Sequence, residues 1–150
     1  MLLLIYLRNI WSLTPPIKCK YSGHLLHTFS LYKHRANLNE MVCPALDAAG
    51  LLESDGISVS VLDMYCVKPL DKAAVTEAAQ NADIVVTVEE HSPYGGPGSM
   101  VAQVVGECCP KRVKCLSLPD APVITGTSAE VFAHYGLTGQ GIAKTVKELL

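Results

Sequence analysis

No run of about 18 apolar residues occurs in this 150-residue chain, which excludes an ordinary membrane-spanning helix. Aromatic residues are scarce at 6%, and charged residues make up only 17%. The net charge of −2 gives no electrostatic case for a nucleic-acid partner. None of the six cysteines (Cys19, Cys43, Cys66, Cys108, Cys109 and Cys115) forms a CxxC pair, and no Cys/His group has zinc-finger spacing. A secreted disulfide framework does not suit a chain of this size, so free thiols in a reducing, cytoplasmic compartment are expected. There is no P-loop, GxGxxG, GxSxG or HExxH motif, and no Cys–His arrangement with a third orienting group.

What is present is a globular composition, 49% hydrophobic, sufficient for one domain with a buried core. The charge is unevenly spread. Residues 1–40 hold Arg8, Lys18, Lys20, Lys33 and Arg35 against Glu40 alone, a balance of +4. Residues 41–150 hold seven basic and thirteen acidic side chains, a balance of −6. Residues 1–40 thus read as a basic leader foreign to the domain proper, resembling an organelle transit peptide in lacking acids before Glu40. His24, His27 and His34 fall in this leader without carboxylates at metal-site spacing.

From residue 41 the pattern alternates between helix and strand. Val42, Ala45, Leu46, Ala49 and Leu52 predict a helix over 42–53, stopped at Asp55-Gly56. Ile57, Val59, Val61 and Leu62 mark a strand. Lys68-Pro69-Leu70-Asp71 is a loop whose Asp71 caps a helix carrying Ala74, Val75 and Ala78. A second strand covers 84–88. Ser99 is read as the cap of a helix with Val101, Val104 and Val105, and 113–118 form a third strand. Thr127-Ser128-Ala129-Glu130 fits a capping box, with Gly136 ending that helix. Thr138 begins a last helix with Ile142, Val146, Leu149 and Leu150 on one face. The implied fold class is α/β: a three-layer α/β/α unit on a mostly parallel sheet.

The second strand ends in Glu89-Glu90-His91 and is followed by Gly95-Gly96-Pro97-Gly98-Ser99. In open α/β sheets the carboxyl end of a strand is where ligands and partners dock. Strand alternation sends Glu89 and His91 to one side and Glu90 to the other. With no nucleophile nearby, Glu90 and His91 are expected to hold a loop or a neighbouring domain instead of moving protons. The glycine-rich start, Gly95, Gly96, Gly98 and Ser99, has two readings. It can offer backbone N–H groups to a phosphate or carboxylate, or it can be a tight turn that lets a helix pack closely on the sheet.

The segments Val59-Ser60-Val61-Leu62-Asp63-Met64-Tyr65-Cys66-Val67-Lys68-Pro69-Leu70-Asp71 and Thr87-Val88-Glu89-Glu90-His91, with Gly95-Gly96-Pro97-Gly98-Ser99 after them, resemble the C-terminal domain of transketolase. Gly126 and Tyr135-Gly136-Leu137 continue the likeness, which covers 41–150. Related domains close deoxyxylulose-phosphate synthase and the 2-oxoacid dehydrogenase beta subunit. The resemblance implies a transferase of the pentose phosphate pathway that moves a ketol unit between sugar phosphates. It works with thiamine diphosphate and a divalent metal held on preceding domains. Those domains do not precede residue 41 here, so this chain alone is expected to bind neither cofactor, to hold no catalytic residue, and to act by docking on chains that carry the cofactor-binding regions, in a homo- or hetero-oligomer. The alternatives are a stand-alone anion-binding or regulatory module and a non-functional fragment.

The likeness also has a gap. The family places a central strand just before the helix at residue 42, between the strands matching Val59 to Asp63 and Ile84 to Val88. Here that place holds Leu31-Tyr32-Lys33-His34-Arg35-Ala36-Asn37-Leu38-Asn39-Glu40. Either residues 2–7 or residues 25–31 supply a substitute strand, or the sheet lacks its centre.

Overall fold

A computed structural model describes residues 2–7 and 20–21 as backbone, and residues 40–64 and 66–150 with their side chains. Five strands and five helices follow in the order β1 (Leu2–Leu7), β2 (Lys20–Tyr21), α1 (Val42–Ser54), β3 (Val59–Met64), α2 (Lys72–Gln80), β4 (Ile84–Glu89), α3 (Pro97–Cys108), β5 (Arg112–Leu116), α4 (Ser128–His134) and α5 (Gly139–Leu149).

The strands form one sheet ordered β2-β3-β1-β4-β5. β2 runs parallel to β3 and β4 parallel to β5, while β1 is antiparallel to both of its neighbours. Four strands therefore share one direction, and the central one opposes them. The gap before α1 is filled from the leader. Leu2 pairs with Met64 on one side and Glu89 on the other, and the register continues to Leu7, which pairs with Val59 and Ile84. The sequence Leu-Leu-Leu-Ile-Tyr-Leu is a continuous apolar run, and its backbone pairs on both sides. The expected division at residue 40 accordingly does not separate the sheet, since β1 and β2 lie before it. The alternative strand at 25–31 falls outside the described residues.

Two apolar layers flank the sheet. Met41, Ala45, Ala49 and Leu52 of the first helical segment meet Val59, Val61, Val86, Val88, Ile142 and Val146 on one face. On the other, Val75, Ala78, Val101, Val104 and Val105 meet Leu62, Met64 and Val85. β3 and β4 alternate between these layers, as strand geometry requires. α1 and α5 thus cover one face, and α2 and α3 the other.

The local stop and start signals read from the sequence are in place. Asp71 Oδ1 accepts the Ala74 N–H at 2.9 Å, and Thr138 Oγ1 accepts that of Gly141 at 3.2 Å. Thr127 and Glu130 close a reciprocal capping box. Two details differ. α3 begins at Pro97 with Gly96 as its N-cap, three residues before the expected cap at Ser99. Proline suits the first helical position because its φ is already helical and the N–H it lacks would have no intrahelical partner. Leu150 lies beyond the apolar face of α5 and is 67% exposed, since it follows the last helical residue. Among the described residues Cys43, Cys66, Cys108, Cys109 and Cys115 are free thiols, and no helix is long and apolar enough to cross a membrane.

Candidate functional site

β3, β4 and β5 end on one edge of the sheet, at Met64, Glu89 and Leu116. β4 is buried on both faces over Val85, Val86, Thr87, Val88 and Glu89. Val86 and Val88 face the α1/α5 layer, and Val85 faces the α2/α3 layer. Alternation puts Thr87 and Glu89 on the α3 side with Val85. An acid thereby ends up fully buried, 0% exposed, beneath the first turn of α3.

The glycines make this possible. A Cβ on Gly98 would lie 2.7 Å from both Glu89 Oε1 and Thr87 Oγ1, and 3.4 Å from Cys115 Sγ. A Cβ on Gly96 would lie 2.5 Å from Glu89 Oε2 and 2.9 Å from the Ser92 carbonyl. Any other residue at either position would push the helix off the strand. Gly95 turns the chain with φ +72°, a conformation side chains disfavour. The Gly98 N–H donates to Glu89 Oε2 at 3.3 Å, and the Ser99 hydroxyl donates to the Gly96 carbonyl at 2.6 Å, fastening the first turn.

The helix start thus already faces an acidic side chain, the chain's own Glu89. The favourable field of the helix N-terminus acts on that carboxyl. A phosphate approaching the same N–H groups would meet the buried Glu89 carboxyl, which argues against the anion-binding module. Among the described residues, Glu89 Oε1 and Thr87 Oγ1 have no hydrogen-bond partner. Burial raises the Glu89 carboxyl above the ordinary carboxylate range. The Gly98 N–H and the His91 charge pull it partly back, and the neighbouring Glu90 pushes it up again.

The structure draws Gly96, Gly98 and Ser99 together around Glu89. It leaves Glu90 half-buried and His91 exposed past the end of the strand. His91 contributes its carbonyl, which accepts the Leu118 N–H at 3.0 Å, and the Ser92 hydroxyl reaches Asp120 Oδ1 at 3.3 Å. These bonds tie the loop after β4 to the loop after β5. Glu89 anchors the motif, a role that its placement beside His91 on one side of the strand does not by itself reveal. Its signal is the 85-87-89 alternation running into a helix start built of glycine.

The raised carboxyl fixes a sign. The folded state keeps its proton on Glu89 to higher pH than the unfolded chain does. The associated stability is full below the ordinary carboxylate pKa and is lost as pH rises from there through the raised folded value. Glu89→Gln is expected to flatten that part of the pH–stability curve. Chemical denaturation of both proteins across about pH 4–8 checks this, and parallel curves would reject it.

The residues also bear on cofactor binding. A divalent metal needs several oxygen ligands, and a thiamine diphosphate needs a site for its two phosphates. Among the described residues no group of three or more His, Cys, Asp or Glu side chains converges, and the helix N-terminus at Gly96 is taken by Glu89.

Comparison with known proteins adds the following. Residues 37–142 match the family model described as transketolase, C-terminal domain. An apulose-4-phosphate transketolase subunit of Phocaeicola vulgatus is 42% identical over 111 residues, covering 74% of this chain and 35% of that protein. A 1-deoxy-D-xylulose-5-phosphate synthase of Magnetococcus marinus is 40% identical over 117 residues, covering 75% of this chain and 19% of that protein. Among solved structures, a chain described as a split gene transketolase, inactive beta4 tetramer, superposes with a TM-score of 0.61 at 35% identity, covering 72% of this chain and 34% of that one. The chain therefore spans about a third or less of each of these relatives.

Proposed function

Since this chain belongs to the transketolase C-terminal domain family, we propose that it serves as the closing domain of a thiamine-diphosphate-dependent transferase acting on sugar phosphates. It docks on chains that carry the cofactor-binding regions and supplies no reacting group of its own. One observation carries this reading: the match covers most of this chain but only 35% of a relative that is itself one subunit of a transketolase. The relatives named above include a transketolase and a deoxyxylulose-phosphate synthase, both named for sugar phosphates. Ketol transfer is the activity to assay first, with deoxyxylulose-phosphate formation second.

The chemistry of the thiamine ring belongs to the cofactor held elsewhere. The part of this chain is to fix a loop-bearing sheet edge. Glu89 holds the start of α3, and the loops after β4 and β5 are bonded to each other. The test uses the Phocaeicola vulgatus transketolase with the segment matching this chain deleted. Adding the purified full chain, with thiamine diphosphate and magnesium, is expected to produce a complex and restore ketol transfer. No complex and no activity would refute the proposal.

A further inference from the structure

The surroundings of Glu89 suit a neutral acid better than a charged one. Its side chain is fully buried, as is that of Thr87 on the same face of β4. Among the described residues one donor reaches the carboxyl, the Gly98 N–H at 3.3 Å. Oxygens crowd it instead. Glu89 Oε1 and Thr87 Oγ1 would both lie 2.7 Å from a Cβ on Gly98, and Glu89 Oε2 and the Ser92 carbonyl would lie 2.5 and 2.9 Å from one on Gly96. A neutral carboxyl has an O–H of its own to give, whereas a carboxylate only accepts and takes about four bonds. Ionised in place, Glu89 would hold a charge out of water with Oε1 facing no donor among the described residues.

The packing also says which side would give way. β4 is held by β1 on one side and β5 on the other. The first turn of α3 has no such hold on the sheet. The Ser99 hydroxyl and the Ser99 and Met100 N–H groups all return to the Gly96 carbonyl, so the turn can move as a unit. The loop before it bends at Gly95, with φ +72°. That loop is bonded in turn to the loop after β5, His91 to Leu118 and Ser92 to Asp120.

We propose that Glu89 is a proton-operated latch on the carboxyl edge of the sheet. Neutral, it holds the first turn of α3 against β4. When it gives its proton to solvent at higher pH, the turn lifts to admit water to the carboxylate, and the loops after β4 and β5 loosen with it. Other charges act on the same carboxyl. His91 and the amino terminus, which precedes the Leu2 paired with Glu89, favour the charged form, and Glu90 opposes it. β5 brings the Cys115 thiol beneath Gly98. The first turn of α3 brings no acidic side chain, only the field of its N-terminus, which favours charge. Burial outweighs the attractions and holds the carboxyl above the ordinary range. The latch is therefore closed below that raised value and opens as pH rises through it.

The experiment is native-state hydrogen exchange of the full chain between about pH 5 and 8, each rate being corrected for the pH dependence of an unprotected amide. The opening equilibrium at Gly98, Ser99 and Met100 is expected to rise with pH, by up to about tenfold per unit for one proton released. In Glu89→Gln it is expected to stay level. Val86 and Val88 of β4 should open far less at every pH, which separates lifting of the turn from unfolding of the sheet. A level profile in wild type, an equal slope in Glu89→Gln, or opening of the turn no more frequent than that of β4 overturns the latch. A second readout needs no variant. By nuclear magnetic resonance, the Glu89 carboxyl carbon should titrate at higher pH than those of the exposed Glu53 and Glu107. The amide signals of Gly96, Gly98 and Ser99 should shift with the same midpoint. A Glu89 signal that titrates with the exposed carboxylates, or turn amides that do not follow it, overturns the proposal.

Discussion

Leu4→Pro is expected to abolish cooperative unfolding of the full-length chain. Leu4 is paired on both sides, with Leu62 of β3 and Thr87 of β4. Proline has no N–H to give a ladder, and its ring fits only edge strands, strand starts or bulges. The total stability of a domain is only about 5–15 kcal/mol. The larger effect comes from what β1 separates. With the strand displaced, the facing edges of β3 and β4 lose their partners, and each buried backbone group left unpaired costs about 1–3 kcal/mol. The substitution therefore acts on the whole sheet, which a change in a disordered leader would not do. Circular dichroism during heating checks it: the variant should show a broad slope or no transition where wild type shows a sigmoid. A Leu4→Pro variant that melts like wild type would mean that β1 contributes nothing to the sheet.

Gly98→Ala should be a damaging single-methyl addition on the carboxyl side of the sheet. The new Cβ would fall 2.7 Å from two oxygens that cannot retreat, since Thr87 and Glu89 are both 0% exposed and held by β4. Overpacking of this kind costs about 1–3 kcal/mol. Gly106, on the same helix, has open space where its Cβ would go. Gly106→Ala is expected to stabilise by up to about 1 kcal/mol, because alanine is the better helix former. The opposite signs of two identical substitutions in α3 isolate the close approach of helix to strand from helix propensity. Urea denaturation of the two variants measures both, and equal shifts would show that Gly98 is not crowded.

Local chemistry made much of this fold readable. Asp71, Thr127 with Glu130, and Thr138 each cap a helix through bonds to residues three positions away, so the sequence itself contains both partners. The valines of β4 read as strand because burial on both faces needs an unbroken apolar run. What escaped reading was non-local. Nothing within Leu2–Leu7 states that its partners are Val59–Met64 and Ile84–Glu89, or that it runs against both, and six apolar residues carry no periodicity to show it. The burial of Glu89 is not legible locally because the helix turn that buries it lies nine residues on, and Ser99 reads as the cap although Pro97 starts the helix ahead of it. The resemblance named the family and located a missing strand, while the replacement required three dimensions.

Both functional proposals depend on a folded domain, and the fold depends on a centre supplied by the leader. Native-state hydrogen exchange of the full-length chain tests that dependence most directly. The amide hydrogens of Leu2–Leu7 should exchange as slowly as those of Val85, Val86 and Val88, because a central strand directs its N–H groups alternately into both ladders and opens only when the sheet does. Exchange of Leu2–Leu7 at the rate of an unstructured peptide, with β4 still protected, would contradict it.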